Sequence, residues 1–183
     1  GCAPIDLKLG RALARYVTPL RLQIQLTGGR NMQYAIQEKG AMIVVGLPRR
    51  FGYEDAFEKI PKYWDEYAEK GLNEIVCGRY GVCFDDCGDD FEYWIGDLRA
   101  PDAPIPDGMQ SRAIPAATWA NFTAVGPIPD ALQRLNREIY ADWLPNNAEW
   151  RPSMGMNIEW YSRGDMSAAD YESGILIPVE KSK

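Results

Sequence analysis

Between residues 32 and 183 the same succession of hydrophobic patterns occurs twice, and no other feature restricts the fold as tightly. Repetition means that one supersecondary unit is used again, so the architecture has to hold two copies of it. The first copy opens with an extended run, Gln33–Leu47, that contains Ala41-Met42-Ile43-Val44-Val45. Helical spacing then places Ala56, Phe57, Ile60, Tyr63, Trp64 and Tyr67 on one face and predicts a helix over Tyr53–Glu69. Pro61 falls inside that helix, so a kink or a late start is expected. Strands are predicted over Val76–Phe84 and Phe91–Leu98, joined by the acidic turn Asp85–Asp90.

The second copy follows a proline-rich connector, Ala100–Gly108. It repeats the order: a strand over Gln110–Val125, a helix over Asp130–Leu144, then strands over Met154–Tyr161 and Tyr171–Val179. Leu132, Leu135, Ile139, Tyr140 and Trp143 share the apolar face of its helix. Local sequence echoes support the pairing, with Ala35-Ile36 matched by Ala113-Ile114 and Val45-Gly46 by Val125-Gly126. A small sheet with one helix cannot bury both of its faces alone. The expected fold is therefore α+β. Two fused strand–helix–strand–strand modules, residues 32–107 and 108–183, share pseudo-two-fold symmetry, an antiparallel sheet with two main helices, and a central cleft for a ligand. Residues 1–31 are expected to form a separate helix, over 3–15, and an alternating linker, Leu20–Leu26, ahead of Gly28-Gly29.

Charge and composition exclude several classes of function. The net charge is −6, which argues against direct nucleic-acid binding and favours cationic over anionic ligands. The chain has no histidine, so the Ser-His and Cys-His dyads and the commonest zinc ligand are unavailable. Cys77, Cys83 and Cys87 are spaced x5 and x3, without the paired knuckles of a metal site, and are expected to be reduced thiols; a Cys83–Cys87 bridge is the exception left open. No metal or other cofactor is expected. No run of about 18 apolar residues is present to cross a membrane, and no signal peptide is visible; a cytoplasmic protein without a membrane partner is expected. There is no Walker loop or dinucleotide fingerprint. The acidic turn lacks the spacing of a calcium loop.

The six tryptophans and ten tyrosines exceed what a core of this size needs, which points to a lined cavity or an interface. Glu159 stands out in Asn157-Ile158-Glu159-Trp160-Tyr161, where strand alternation sets Asn157, Glu159 and Tyr161 on one face. A carboxylate among rings needs compensation, and a bound cation supplies it through charge and cation–π contact. Tyr80 on the matching strand, Trp119, Trp64, Tyr93 and Phe51 complete the candidate ligand-binding set with Glu159 and Tyr161. Tyr16, Tyr53 and Trp143 are weaker candidates. An edge position for Glu159 and a plain core role for the tryptophans remain the alternatives.

The residues Val45-Gly46-Leu47, Ile60-Pro61-Lys62-Tyr63-Trp64-Asp65, Tyr80-Gly81-Val82-Cys83, Ile114-Pro115-Ala116-Ala117-Thr118-Trp119 and Asn157-Ile158-Glu159-Trp160-Tyr161-Ser162 together resemble the gyrase-inhibitor-like (GyrI-like) effector-binding domains, over about Met32–Glu180. Such domains form the C-terminal sensor of many AraC-type transcription regulators. The resemblance implies a central cleft with a strand glutamate, here Glu159, among aromatic side chains. It implies a small lipophilic or cationic ligand as the partner. DNA would be reached only through a helix-turn-helix domain absent from this chain, and a homodimer is left open. Residues 1–31 would then be the remnant of the DNA-binding part and its linker. The leading expectation is a small-molecule sensor domain of a transcription regulator or a stand-alone relative. The resemblance also implies an enzymatic alternative, a hydrolase of strained cyclopropanoid toxins in which Glu159 activates water and Tyr161 or Tyr80 steadies the oxyanion. A third reading is a protein-interaction module using residues 1–30.

Overall fold

The computed structural model describes residues 32–85 and 88–182. The expected helix over 3–15 and the linker Leu20–Leu26 lie outside the described residues, as do Tyr16 and Cys87. Among the described residues the strands are β1 (Tyr34–Lys39), β2 (Met42–Gly52), β3 (Tyr80–Phe84), β4 (Asp90–Arg99), β5 (Gln110–Ile114), β6 (Ala117–Val125), β7 (Trp150–Pro152), β8 (Met156–Tyr161) and β9 (Glu172–Lys181). The main helices are α1 (Ala56–Glu69) and α2 (Asp130–Glu138). The fold is α+β, and the strand pairs are antiparallel.

Each long opening strand of the repeat is in fact two strands. The run Gln33–Leu47 breaks between Lys39 and Met42, and Gln110–Val125 breaks at Pro115-Ala116. Proline has no N–H for the ladder, and the Gly40 backbone tolerates the change of direction. The contact units follow these breaks rather than the repeats. Residues 40–116 form one unit, and 32–39 with 117–182 form the other. Thus β1 precedes the strands of unit 1 but pairs with β6 of unit 2, whereas β5 pairs with β2 in unit 1.

In unit 1 the strands run β3-β4-β2-β5. Alternation sends Ile43, Val45, Phe51, Phe91, Tyr93 and Ile95 to the face that carries α1. The helix starts late, at Ala56, and Pro61 lies within it. Ala56, Tyr63 and Tyr67 are buried against the sheet, but Phe57 is 59% exposed and leaves the predicted stripe. Two tyrosine hydroxyls tie the helix down: Tyr63 donates to the Leu47 carbonyl (2.9 Å) and Tyr67 to the Val76 carbonyl (2.9 Å). Burial pushes the Tyr63 phenol up to about 12, so it stays a neutral donor throughout the physiological range. The predicted strand Val76–Phe84 begins only at Tyr80. Before it, the Asp97 carboxylate accepts the backbone N–H groups of Cys77 and Arg79 (both 3.1 Å), which holds that segment out of the ladder.

In unit 2 the strands run β1-β6-β9-β8, with β7 also on β9. Ala120, Phe122, Ala124, Ile175, Ile177 and Val179 face α2 and pack on Leu132, Leu135 and Ile139. Trp143 stands edge-on to Phe122 (centroids 4.8 Å, 82°) and to Tyr34 (5.2 Å, 72°). The predicted helix Asp130–Leu144 is regular only to Glu138; Ile139–Trp143 widen into a π-helical stretch. Pro145 explains the widening, because its ring crowds the carbonyl four residues back and offers no N–H. Tyr140 is thereby turned outward, 46% exposed, away from the core stripe predicted for it.

Gly46 and Gly96 lie directly opposite each other on β2 and β4. A Cβ on Gly46 would sit 2.0 Å from the Ile95 carbonyl oxygen, and one on Gly96 2.4 Å from that of Val45. Only residues without side chains permit this approach. Gly46→Ala is therefore expected to cost on the order of 3 kcal/mol or more, read as a lowered urea midpoint, whereas Gly71→Ala, with open space around it, acts only through its left-handed backbone.

Candidate functional site

The register decides which candidate residues can meet. On β8, Glu159 lies opposite Ile175 and Tyr161 opposite Ser173. Ile175 belongs to the core beneath α2, and Tyr161 packs against that core as well. Glu159 and Tyr161 therefore lie on the helix-bearing face of unit 2. Both are half-buried, and the Tyr161 hydroxyl donates to Glu159 Oε2 at 2.9 Å. Two residues along the strand, Asn157 shares this face and its amide donates to the Tyr140 hydroxyl at 3.3 Å. The result is a short row of polar groups, Tyr140-Asn157 and Glu159-Tyr161, with phenol rings at both ends. Such a row offers a negative charge, ring faces and an amide, which suits a cation with apolar substituents.

Trp119 and Trp160 occupy the opposite face of the same sheet. Trp119 pairs with Pro178 on β9 and with Gln37 on β1, and it is fully buried. Its indole N–H has no hydrogen-bond partner. Trp160 lies across Gly174, and its Nε1 donates to the Asn121 side-chain oxygen at 2.9 Å. A Cβ on Gly174 would fall 2.4 Å from that indole, so the glycine is what admits the ring. The structure therefore does not bring Trp119 to Glu159 within unit 2.

Unit 1 sorts its candidates in the same way. Trp64 on α1 donates from Nε1 to the Tyr93 hydroxyl at 3.1 Å, and Phe51 stands edge-on to Tyr93 with centroids 6.2 Å apart. These three belong to the helix-bearing side, together with the half-buried Cys83 opposite Tyr93. Tyr80 pairs with Gly96 and lies on the other face, where burial raises its phenol pKa. Cys77 and Cys83 are half-buried and not in a disulfide. A hollow of about 270 Å³ beside Phe51 is lined by Arg49, Arg50, Lys59, Lys62 and Glu66, so it is charged rather than aromatic. Its cations are engaged by Glu66, Asp90, Asp55 and Glu58. Tyr140 was missed in the sequence because helical spacing assigns it to the core. Proline two turns into a helix end is the only local signal for the π-helical stretch that exposes it. Among the described residues no group of acids and thiols is arranged to hold a metal, and no helix is long and apolar enough to cross a membrane.

Comparison with known proteins gives this geometry a context. Residues 35–179 match the model of a family described as Cass2, integron-associated effector binding protein. The transcriptional regulator BrlR of Pseudomonas aeruginosa is 27% identical over 158 residues, which cover 82% of this chain and 56% of BrlR. The chain thus spans about half the length of that curated relative. The structure of SAV2435 bound to tetraphenylphosphonium has a TM-score of 0.73 at 20% identity, covering 81% of this chain and 94% of that one. A putative bacterial transcription regulation protein from Staphylococcus aureus MU50 has a TM-score of 0.69 at 19% identity, with 81% and 99% covered. At these identities the structural likeness shows the fold.

The contrast between the two indoles is testable by urea denaturation. Trp160→Phe breaks a hydrogen bond and orphans the Asn121 oxygen, so a loss of about 1–3 kcal/mol is expected. Trp119→Phe removes a donor that has no partner, so its cost is smaller and reflects ring volume alone.

Proposed function

We propose that this chain, which belongs to the Cass2 family of integron-associated effector-binding proteins, binds small lipophilic cations through the helix-bearing face of β8. The observation that carries this reading is the half-buried Glu159 carboxylate held by the Tyr161 hydroxyl at 2.9 Å. The hydroxyl holds one carboxylate oxygen in place with its phenol ring alongside, so a cation bound here gains charge and ring contact together. Tetraphenylphosphonium, the compound bound by SAV2435, has the matching chemistry: a delocalised positive charge inside an apolar shell. As an effector-binding part, the chain would report the ligand to a DNA-binding part, since its relative BrlR is a transcriptional regulator nearly twice as long as the matched segment. A small number of rings and one charge specify shape loosely, so recognition of several cations by one site follows.

Titration of tetraphenylphosphonium, followed by tryptophan fluorescence, tests the assignment. Glu159→Gln is expected to weaken it at least about tenfold, equivalent to ~1.4 kcal/mol. The neutral triphenylphosphine oxide should lose no more than about twofold under the same change. Equal losses for both compounds would remove the carboxylate from the reading. Tyr161→Phe should weaken the cation by roughly three- to tenfold, the effect of one hydrogen bond that orients the anion.

A further inference from the structure

The face of the unit 1 sheet opposite α1 holds a second carboxylate among rings, and a cation is already on it. Glu92 Oε2 accepts the Arg112 guanidinium (2.6 Å) and the Trp94 indole N–H (2.6 Å). The guanidinium carbon of Arg112 lies 3.8 Å from the centroid of Phe84, stacked over the ring. Glu92 pairs directly with Phe84, and Trp94 and Tyr80 follow on the same face of β4 and β3. Glu92 and Arg112 are only 24% and 29% exposed.

The path of the arginine is unusual. Arg112 pairs with Val44, and Val44 pairs with Leu98, six residues along β4 from Glu92. On a flat sheet that offset alone is about 20 Å, beyond the reach of an arginine. The 2.6 Å contact therefore requires the sheet of unit 1 to curl toward the face opposite α1, and the close approach of Gly46 to Gly96 is where such a bend is accommodated. Phe84, Glu92 and Trp94 share the inner face, and Arg112 reaches them from β5, a five-residue strand at the unit's edge. Among the described residues β5 pairs only with β2, through five residue pairs, and four of its five residues are exposed or half-buried.

We propose that Phe84, Glu92 and Trp94 form a second ligand site, selective for planar guanidinium-type cations, and that Arg112 is its tethered occupant. The selectivity follows from shape: a flat delocalised cation lies on the Phe84 ring while its edge N–H groups meet the carboxylate, and an ammonium cannot do both. A soluble guanidinium compound enters by displacing Arg112, so the tether sets the threshold concentration for binding. The site is distinct from Glu159 and stands or falls without it.

The test uses n-butylguanidinium at millimolar concentration and the Trp94 indole N–H signal in an ¹⁵N-labelled protein. In Arg112→Ala the signal should shift saturably, with an affinity at least about tenfold tighter than in the parent protein. n-Butylammonium should bind the variant at least about fivefold more weakly than the guanidinium. Adding Glu92→Gln to Arg112→Ala should abolish the shift, whereas adding Glu159→Gln should leave it unchanged. A folded Arg112→Ala protein with no saturable shift would overturn the proposal, as would equal binding in parent and variant or a shift that survives Glu92→Gln. If Arg112→Ala does not fold, Arg112→Lys takes its place, with saturable binding still tighter than in the parent as the expected result and its absence overturning the site.

Discussion

Where Gly46 faces Gly96, two strands come so near that neither position accepts a Cβ. Much of unit 1 depends on that approach. A sheet that bends there acquires an outer face, which carries α1, and an inner face, which gathers side chains from strands that are not neighbours. Tyr63 and Tyr67 hold the helix to the outer side through backbone carbonyls. On the inner side Arg112 reaches Glu92 across β2. In unit 2 a third glycine, Gly174, does a related job by making room for the Trp160 indole over β9. In unit 1 the missing methyl groups let two strands close on each other, and in unit 2 one lets an indole lie across a strand.

Parity along the strands then sorts the chemistry. Glu159 and Tyr161 share a face because they are two residues apart, and the pairing of β8 with β9 shows it to be the face beneath α2. Trp119 and Trp160 share the other. A slip of one residue in either strand would exchange the sets, so the hydrophobic pattern that fixes the register also fixes which polar groups can act together.

The repeat made most of the fold legible in the sequence: element order, strand–helix alternation and the antiparallel sheets all followed from it. Alternation within one strand also placed Asn157, Glu159 and Tyr161 together. What the sequence could not supply was information about pairs of strands. Nothing in Trp119 or Tyr80 reveals which face of its sheet it occupies, because that depends on partners distant in the chain. The division of each long opening strand hinged on one glycine or one proline inside an otherwise continuous apolar run. Phe57 and Tyr140 fit helical stripes by spacing but are exposed. The first is the second residue of a helix whose buried stripe runs through Ala56, Tyr63 and Tyr67, and the second sits where the helix widens ahead of Pro145.

The crossed-over first strands of the two repeats bear on how the molecule is made. β1 leaves the ribosome before β2, β3, β4 and β5, yet its partner β6 begins only at Ala117. During synthesis at ~5–20 residues per second, β1 must remain unpaired for several seconds while β2, β3, β4 and β5 assemble beside it. Unit 1 can close as soon as Ile114 has emerged, whereas unit 2 must recover a strand translated long before. The two halves therefore cannot be separated at the repeat boundary without depriving each unit of one strand.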